Sequence, residues 1–123
     1  MAKIVLVVDD SSTVRQQVAT ALKPAGFVIL EAADGQEGLA AVDSNRDIAM
    51  VVCDVNMPNM NGLEMVEKVK SKPENKALPI LMLTTEGQPS MIKRAKAAGA
   101  SGWIVKPFDA SQLVQTAKHL TKS

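Results

Sequence analysis

The sequence predicts an α/β protein in which helices cover both faces of a parallel sheet. Short apolar runs alternate along the whole chain with segments whose apolar residues recur at helical spacing. The connections between these segments are short, which favours parallel strands joined by right-handed crossovers. Together the two observations indicate one open sandwich with a single core.

Five apolar runs predict the strands of this sheet. Each run is too short for a helix, and the set is rich in β-branched residues, as expected of strands that are buried on both faces. The predicted strands cover residues 4–8, 28–30, 50–53, 80–83 and 103–105.

Five further segments predict helices, one after each strand. Their apolar residues recur three or four positions apart, as in a helix that packs one face on a sheet. The apolar faces, helix by helix, are Val14, Val18, Ala21 and Leu22; Leu39 and Val42; Leu63, Val66 and Val69; Met91, Ile92, Ala95 and Ala98; and Leu113, Ala117 and Leu120.

Capping residues support these helix boundaries. Asp34, Asn61 and Asp109 each precede a Glu or Gln by three positions, which is typical of a helix start. Gly26 and Gly99 stand where the first and fourth helices should end, at the position that accepts a left-handed conformation. The predicted order is therefore a strand followed by a helix, repeated five times.

Composition excludes several classes of protein. The chain has 123 residues, of which 46% are hydrophobic and 22% charged, so we expect one globular domain. Fourteen Lys and Arg residues against thirteen Asp and Glu residues give a net charge of +1, which provides no general attraction for nucleic acid or an anionic membrane. Cys53 and His119 are each the one residue of their type, which excludes an internal disulfide and clustered cysteine or histidine metal sites.

The sequence also shows no signal peptide and no apolar run near the roughly 20 residues of a membrane span. We therefore expect a cytoplasmic protein. A single cysteine is consistent with a reducing compartment.

Polar residues follow four of the predicted strands. Asp9 and Asp10 come after the first strand, Asp54 after the third, Thr84 after the fourth and Lys106 after the fifth. Each one alone has an ordinary interpretation as a loop or capping residue. Because ligand sites of open α/β sheets lie beyond the carboxyl ends of the strands, their common edge predicts a functional site.

The chemistry of this set points to a cation and a phosphoryl group. Three neighbouring carboxylates repel one another and call for a positive charge. Oxygen ligands favour Mg²⁺, with Mn²⁺ as an alternative. A carboxylate beside such an ion and a lysine is also the arrangement with which an aspartate attacks phosphorus.

At these positions the chain resembles the response-regulator receiver domains, and among them the CheY-like chemotaxis regulators. The resemblance spans the chain and implies a flavodoxin-like (βα)5 sandwich of five parallel strands in the order 2-1-3-4-5, as one receiver domain over residues 1–123 without an output domain. The matching stretches are VVDDSS with Asp9 and Asp10, CDVNMPNMNGLE with Asp54, ALPILMLT ending at Thr84, and AGASGWIVKPF with Lys106.

The resemblance assigns roles to the polar residues. Asp54 is implied as the phosphoacceptor. Asp10 and Asp54 would bind Mg²⁺ directly together with the backbone carbonyl of Asn56, and Asp9 would help through water. Lys106 would pair with the phosphoryl oxygens.

Four further expectations come from the same resemblance. The Thr84 hydroxyl would move to bond the phosphoryl group, and Trp103 takes the place of a switch aromatic that is usually Tyr or Phe. A core or surface role for this tryptophan is the alternative. Asn56 and Glu86 would flank the path of the water that hydrolyses the aspartyl phosphate, and Lys106-Pro107 would be a cis peptide.

The implied function is that of a CheY-like response regulator in a two-component chemotaxis pathway, and not of an enzyme with an external substrate. A CheA-like histidine kinase would be the phosphodonor, and phosphorylation would reshape the surface of the fourth helix, fifth strand and fifth helix. The expected target is the flagellar motor switch or another motility protein, a phosphatase is a further partner, and we expect a monomer.

Other functions stay open at this point. A phosphate sink, a relay receiver in a non-flagellar pathway and a constitutive interaction module share the same fold. An Mg²⁺-dependent phosphohydrolase is a further alternative. A nucleotide-binding fold is disfavoured, because two acids occupy the loop after the first strand where a glycine-rich turn would bind pyrophosphate.

Overall fold

A computed structural model describes residues 2–122 of the chain. Within this range five parallel strands form one sheet in the order β2-β1-β3-β4-β5. The strands are β1 (Ile4–Val8), β2 (Val28–Ala32), β3 (Ile48–Cys53), β4 (Ile80–Thr84) and β5 (Gly102–Val105). The predicted α/β class, the flavodoxin-like architecture and the strand order are confirmed.

Helices lie between the strands and after the last one. They are α1 (Ser12–Leu22), α2 (Gly35–Ser44), α3 (Gly62–Lys70), α4 (Pro89–Ala98) and α5 (Ala110–Thr121). Short 3-10 turns follow α1 at Lys23–Ala25 and α3 at Pro73–Asn75. A proline within each turn cannot supply the backbone N–H that a continuing α-helix needs.

Alternate residues of the strands point to opposite faces of the sheet, which divides the core in two. One half of the core packs the sheet against α1 and α5, and the other packs it against α2, α3 and α4. The first half contains Val5, Val7, Met50, Val52, Leu81 and Leu83, and the second contains Leu6, Val8, Val51, Cys53, Ile80 and Met82. Burial on both faces explains why the strands appear as continuous apolar runs.

The predicted caps are present. Asn61 accepts a hydrogen bond from the Glu64 backbone N–H, and the Glu64 side chain accepts one from the Asn61 backbone N–H, which completes a capping box. Asp34 and Asp109 cap α2 and α5 in the same position. Gly26 and Gly99 both have positive φ. Gly99 ends α4 as predicted, whereas α1 stops at Leu22 and Gly26 ends the 3-10 turn that follows it.

Four strands extend further than the sequence predicts, and β4 and β5 do so by one residue each. β2 continues through Glu31 and Ala32, and β3 begins at Ile48 instead of Met50. The charged Glu31 interrupts the apolar run, but its backbone pairs with Val7 of β1, so the strand continues along its neighbour.

Lowering the pH should weaken the contribution of the Asp34 cap of α2 to stability. Hydrogen bonds from the Glu37 backbone N–H and then the Asn59 side chain hold the pKa of Asp34 below its usual value. A carboxyl with a lowered pKa stabilises the fold above its unfolded pKa of about 3.9 and loses this effect as the pH falls through the folded value. We expect Asp34→Asn to unfold at lower urea than wild type at pH 7, with the difference shrinking at pH 3. Urea titrations at both pH values test this, and an unchanged difference would contradict it.

Candidate functional site

Three carboxylates meet at the carboxyl edge of the sheet. Asp9 and Asp10 follow β1, and Asp54 follows β3, which lies next to β1. One carboxylate oxygen of each residue lies within 4.8 Å of those of the other two. Asp9 and Asp54 are buried whereas Asp10 is exposed, so the cluster has two inner acids and one that faces solvent.

Lys106 supplies a positive charge to the two inner acids. Its Nζ lies 2.9 Å from Asp9 Oδ2 and 3.7 Å from Asp54 Oδ2. The peptide that follows it, Lys106-Pro107, is cis, as the resemblance implied. The Lys106 backbone N–H donates to the Thr84 carbonyl at 2.8 Å, which extends the contact between β4 and the residue after β5.

Asp54 is fixed in position by its own backbone surroundings. Its N–H donates to the Val8 carbonyl at 2.9 Å, and its Oδ1 accepts a hydrogen bond from the Val55 N–H at 2.8 Å. Burial raises the pKa of the Asp54 carboxyl, and the nearby Asp9 carboxylate raises it further, whereas the Thr84 hydrogen bond and the Lys106 ammonium oppose the rise. A bound cation would therefore favour the ionised form that a nucleophile requires.

Glu86 links Thr84, at the end of β4 beside the acids, to Trp103 on the edge strand β5. Thr84 is fully buried, and its hydroxyl accepts a hydrogen bond from the Glu86 N–H at 3.3 Å. The half-buried Trp103 donates from Nε1 to the Glu86 carbonyl at 2.9 Å. The tryptophan also packs on the core half formed with α2, α3 and α4.

The structure brings together the two residues that were expected to influence hydrolysis. Asn56 Nδ2 donates to Glu86 Oε1 at 2.7 Å. Because Glu86 also contacts Thr84 and Trp103, one residue links the acceptor loop, the buried hydroxyl and the indole. The functional roles of these residues stay predictions.

Two features of the site were missed by sequence reasoning. Arg15 on α1 donates from Nη1 to the Asp9 carbonyl at 2.6 Å. Gly62 begins α3 so close to Asp54 that a Cβ there would lie 1.9 Å from the Asp54 carbonyl oxygen. The match of NGLE to the receiver pattern was the one indication that this glycine matters.

Cys53 is buried beside the acceptor. Burial raises the pKa of its thiol well above the ordinary range, and the carboxylates of Asp54 and Asp9 add to this rise. The thiol contacts the Asp54 carbonyl and the Met65 sulfur, at 3.2 and 3.8 Å. A protonated and enclosed thiol is unreactive, which agrees with a packing role.

The donor set fits a hard divalent cation. Asp9, Asp10 and Asp54 bring three carboxylates together against one ammonium group, which leaves an excess of negative charge. All of the donors are oxygens, and the exposed side at Asp10 leaves room for water and phosphoryl ligands, as Mg²⁺ prefers. The acid cluster therefore suits Mg²⁺ both in the chemistry of its ligands and in its position at the carboxyl edge of the sheet.

Comparison with known proteins identifies the family. The model of the response regulator receiver domain matches residues 5–118. The chain belongs to this family. It is 45% identical to the chemotaxis protein CheY1 of Helicobacter pylori over 104 residues, 84% of each protein, and 43% identical to the CheY homolog of Campylobacter jejuni, covering 84% of this chain and 80% of that protein.

Solved structures agree with this assignment. Vibrio cholerae CheY4 superposes with a TM-score of 0.90 at 43% identity, covering 98% of this chain and 99% of that one. The CheX-CheY-BeF3-Mg²⁺ complex of Borrelia burgdorferi gives a TM-score of 0.87 at 28% identity, covering 96% of this chain and 88% of that one. The chain is thus a CheY-like receiver domain of two-component chemotaxis signalling, a class of signalling proteins and not of classical enzymes. Within residues 2–122 no helix has the length and apolarity needed to cross a membrane.

Proposed function

We propose that this receiver accepts a phosphoryl group on Asp54 in an Mg²⁺-dependent reaction and thereby changes its affinity for a motility protein. The observation that carries the proposal is the contact of one ammonium group with two buried carboxylates inside a cluster of three, beside a buried threonine. A CheA-like histidine kinase is the proposed phosphodonor. We propose that the receiver domain, residues 1–123, itself catalyses the transfer of the phosphoryl group.

The chain's own residues account for the phosphoryl transfer. An Asp54 oxygen forms a bond to phosphorus as the bond from phosphorus to the donor imidazole nitrogen breaks, and the imidazole leaves with the electron pair. Lys106 shifts from Asp9 toward the new phosphoryl oxygens, and the Thr84 hydroxyl bonds one of them. Asp10, Asp54 and the Asn56 carbonyl would hold Mg²⁺, with Asp9 helping through water. The ion would supply positive charge against those oxygens.

Movement of Thr84 would be transmitted to the surface through Glu86. The Thr84 hydroxyl accepts from the Glu86 N–H, and the Glu86 carbonyl accepts from the Trp103 indole. A shift of the threonine toward a phosphoryl oxygen therefore disturbs the backbone to which the indole is bonded. The environment of Trp103 changes with it, and so does the surface of α4, β5 and α5.

Partners are inferred from relatives and from this surface. The Borrelia structure contains a CheY together with CheX, BeF3 and Mg²⁺, which supports activation by a phosphoryl analogue and a protein partner for the activated form. Of the basic residues on α4, Arg94 is already bonded to Glu67 through two contacts, at 2.8 and 3.0 Å. This ion pair offsets one of the positive charges on α4. The proposed target is a protein segment, the N-terminus of the flagellar switch protein.

Beryllofluoride with Mg²⁺ provides the test, since it mimics the aspartyl phosphate. We expect Trp103 fluorescence to change on addition of both reagents together and not with either alone. We also expect the activated protein to bind a peptide from the N-terminus of the flagellar switch protein more tightly than untreated protein. A fluorescence change without peptide binding would reject the motor target, and no response at all would reject phosphorylation-dependent switching.

The contact between Asn56 and Glu86 leads to a prediction about the lifetime of the phosphorylated state. Both side chains are polar and contact each other at 2.7 Å, and Asn56 lies two residues after the acceptor. The family resemblance implies that the path of the hydrolysing water runs between them. A long or charge-reversed side chain narrows this path, so we expect Asn56→Arg and Glu86→Lys each to slow loss of phosphate about tenfold, equivalent to ~1.4 kcal/mol in the barrier. Decay of labelled phosphoprotein in excess Mg²⁺ measures the rate.

The matched control for charge reversal is Glu74→Lys, because Glu74 is an exposed glutamate at the opposite end of the sheet. Its decay rate should equal that of wild type. Wild-type decay in both Asn56→Arg and Glu86→Lys would show that the pair has no influence on hydrolysis.

A further inference from the structure

Arg15 connects the acid pair to the edge of the sheet. Its Nη1 donates to the backbone carbonyl of Asp9 at 2.6 Å, and its Nε donates to Glu31 Oε1 on β2 at 2.9 Å. The arginine side chain is 17% exposed and the glutamate side chain 51% exposed. A planar guanidinium held at two points has little freedom to move, so it fixes the carbonyl that it contacts.

Asp9 is bonded through each of its polar groups. Its N–H donates to the Ala32 carbonyl at 3.1 Å, and its carboxylate accepts from the Ser11 N–H and from Lys106 Nζ, both at 2.9 Å. Arg15 provides the remaining contact, on the carbonyl oxygen. This contact joins a side chain of α1 to the backbone at the point where the chain leaves β1.

The carbonyl of Asp9 lies in the same rigid peptide plane as the N–H of Asp10. Orientation of this plane therefore sets the direction from which the Asp10 side chain leaves the backbone. Asp10 is exposed, unlike the other two acids of the cluster, so neighbouring side chains enclose it least. Control of the plane is thus the main way in which the fold can direct this carboxylate toward a cation.

We infer that Arg15 is a positioning residue for the divalent cation, acting through the Asp9-Asp10 peptide. The inference rests on the proposed function, since it concerns the Mg²⁺ used in phosphorylation. Glu31 contributes to this positioning, because it orients the Arg15 guanidinium from the neighbouring strand β2. The chain thereby connects the exposed edge of the sheet to the geometry of its acid cluster.

The direction in which Mg²⁺ affinity changes when Arg15 is removed distinguishes a positioning role from a purely electrostatic one. A guanidinium near the acids repels a divalent cation, so an arginine that acted through its charge alone would weaken Mg²⁺ binding, and its removal would strengthen it. Positioning predicts the opposite, because loss of Arg15 allows the Asp9-Asp10 peptide to turn and spreads Asp10 over several orientations.

Isothermal titration of the full chain with Mg²⁺ tests the inference. We expect Arg15→Ala to bind Mg²⁺ about tenfold more weakly than wild type, the size of effect produced by losing one hydrogen bond to a charged group. Arg15→Lys keeps the charge but not the two-point contact, and should bind about threefold more weakly. Arg46→Ala is the control. This arginine pairs with Glu74 at a distance of 3.3 Å and lies away from the acid cluster, so the variant should bind Mg²⁺ as wild type does.

A second measurement separates cation binding from loss of structure. With acetyl phosphate as donor, Arg15→Ala should need more Mg²⁺ for half-maximal phosphorylation but approach the wild-type rate at saturating Mg²⁺. A merely destabilised variant would not regain that rate, and would also show a changed circular dichroism spectrum. If Arg15→Ala does not fold, the decision rests on Arg15→Lys.

The outcomes are distinct. Weaker Mg²⁺ binding by the folded Arg15 variants, with wild-type binding by Arg46→Ala, supports the inference. Unchanged or tighter binding by the Arg15 variants overturns it and leaves the proposed function intact. A wild-type chain that binds no Mg²⁺ and accepts no phosphoryl group overturns both.

Discussion

Asp54→Asn is expected to abolish phosphorylation of the protein by acetyl phosphate in the presence of Mg²⁺. Wild type should gain the mass of one phosphoryl group, and the variant should gain none. The carboxamide oxygen is neutral and a poor nucleophile, and an amide contributes no negative charge to the cluster formed with Asp9 and Asp10. Intact-mass spectrometry over a time course measures the difference, which is the largest that we expect in function.

The substitution should leave the fold intact, because asparagine is close to aspartate in size. The pKa of the buried Asp54 carboxyl is raised, so the charge itself opposes burial and its removal should not destabilise the protein. Asp43→Asn is the matched control, since Asp43 is exposed and pairs with Lys72 instead of the acid cluster. Phosphorylation of Asp54→Asn at the wild-type rate would show that another residue is the acceptor.

Much of the fold could be predicted from the sequence because its local patterns are unambiguous. Strands buried on both faces appear as apolar runs, and Asp34, Asn61 and Asp109 cap helices through side chains that act within three residues. Prediction was less accurate where distant pairing decides. The last residues of β2 are defined by the backbone of β1 and not by the polarity of Glu31.

The candidate site could be predicted in its membership but not in its internal contacts. Residues that follow parallel strands meet at one edge, so Asp9, Asp54 and Lys106 were expected together, and they are. The contact of Arg15 with a backbone carbonyl has no sequence pattern, because a long flexible side chain can reach many partners. The position of Trp103 against the Glu86 carbonyl likewise depends on packing between β5 and the loop after β4.

At Gly62, the close approach of α3 to the Asp54 carbonyl affects both the stability of the fold and the geometry of the site. Its N–H donates to the Val55 carbonyl at 2.9 Å, which holds the first turn of α3 against the loop after β3. A Cβ at this position would lie 1.9 Å from the Asp54 carbonyl oxygen, 2.8 Å from the Asp54 carbonyl carbon and 3.1 Å from Val55 Cα. All three are backbone atoms, so no side-chain rotation can relieve the contact.

We therefore expect Gly62→Ala to lower the free energy of unfolding by about 3 kcal/mol, at the upper end of the range for overpacked sites. The chain must relieve the contact by moving α3 or the backbone of Asp54, and the second movement also shifts a ligand of the proposed cation site. Mg²⁺ affinity should fall together with stability. Urea unfolding and Mg²⁺ titration of the same sample measure both effects.

Gly87→Ala is the matched control for this substitution. A Cβ on Gly87 meets Val105 Cγ2 at 3.8 Å, an ordinary van der Waals contact, so stability should change little. A Gly62→Ala protein as stable as Gly87→Ala would contradict the close approach of α3 to Asp54. A variant that loses stability but keeps wild-type Mg²⁺ affinity would show that the strain is relieved by α3 alone, with the acceptor held in place by its hydrogen bonds to Val8 and Val55.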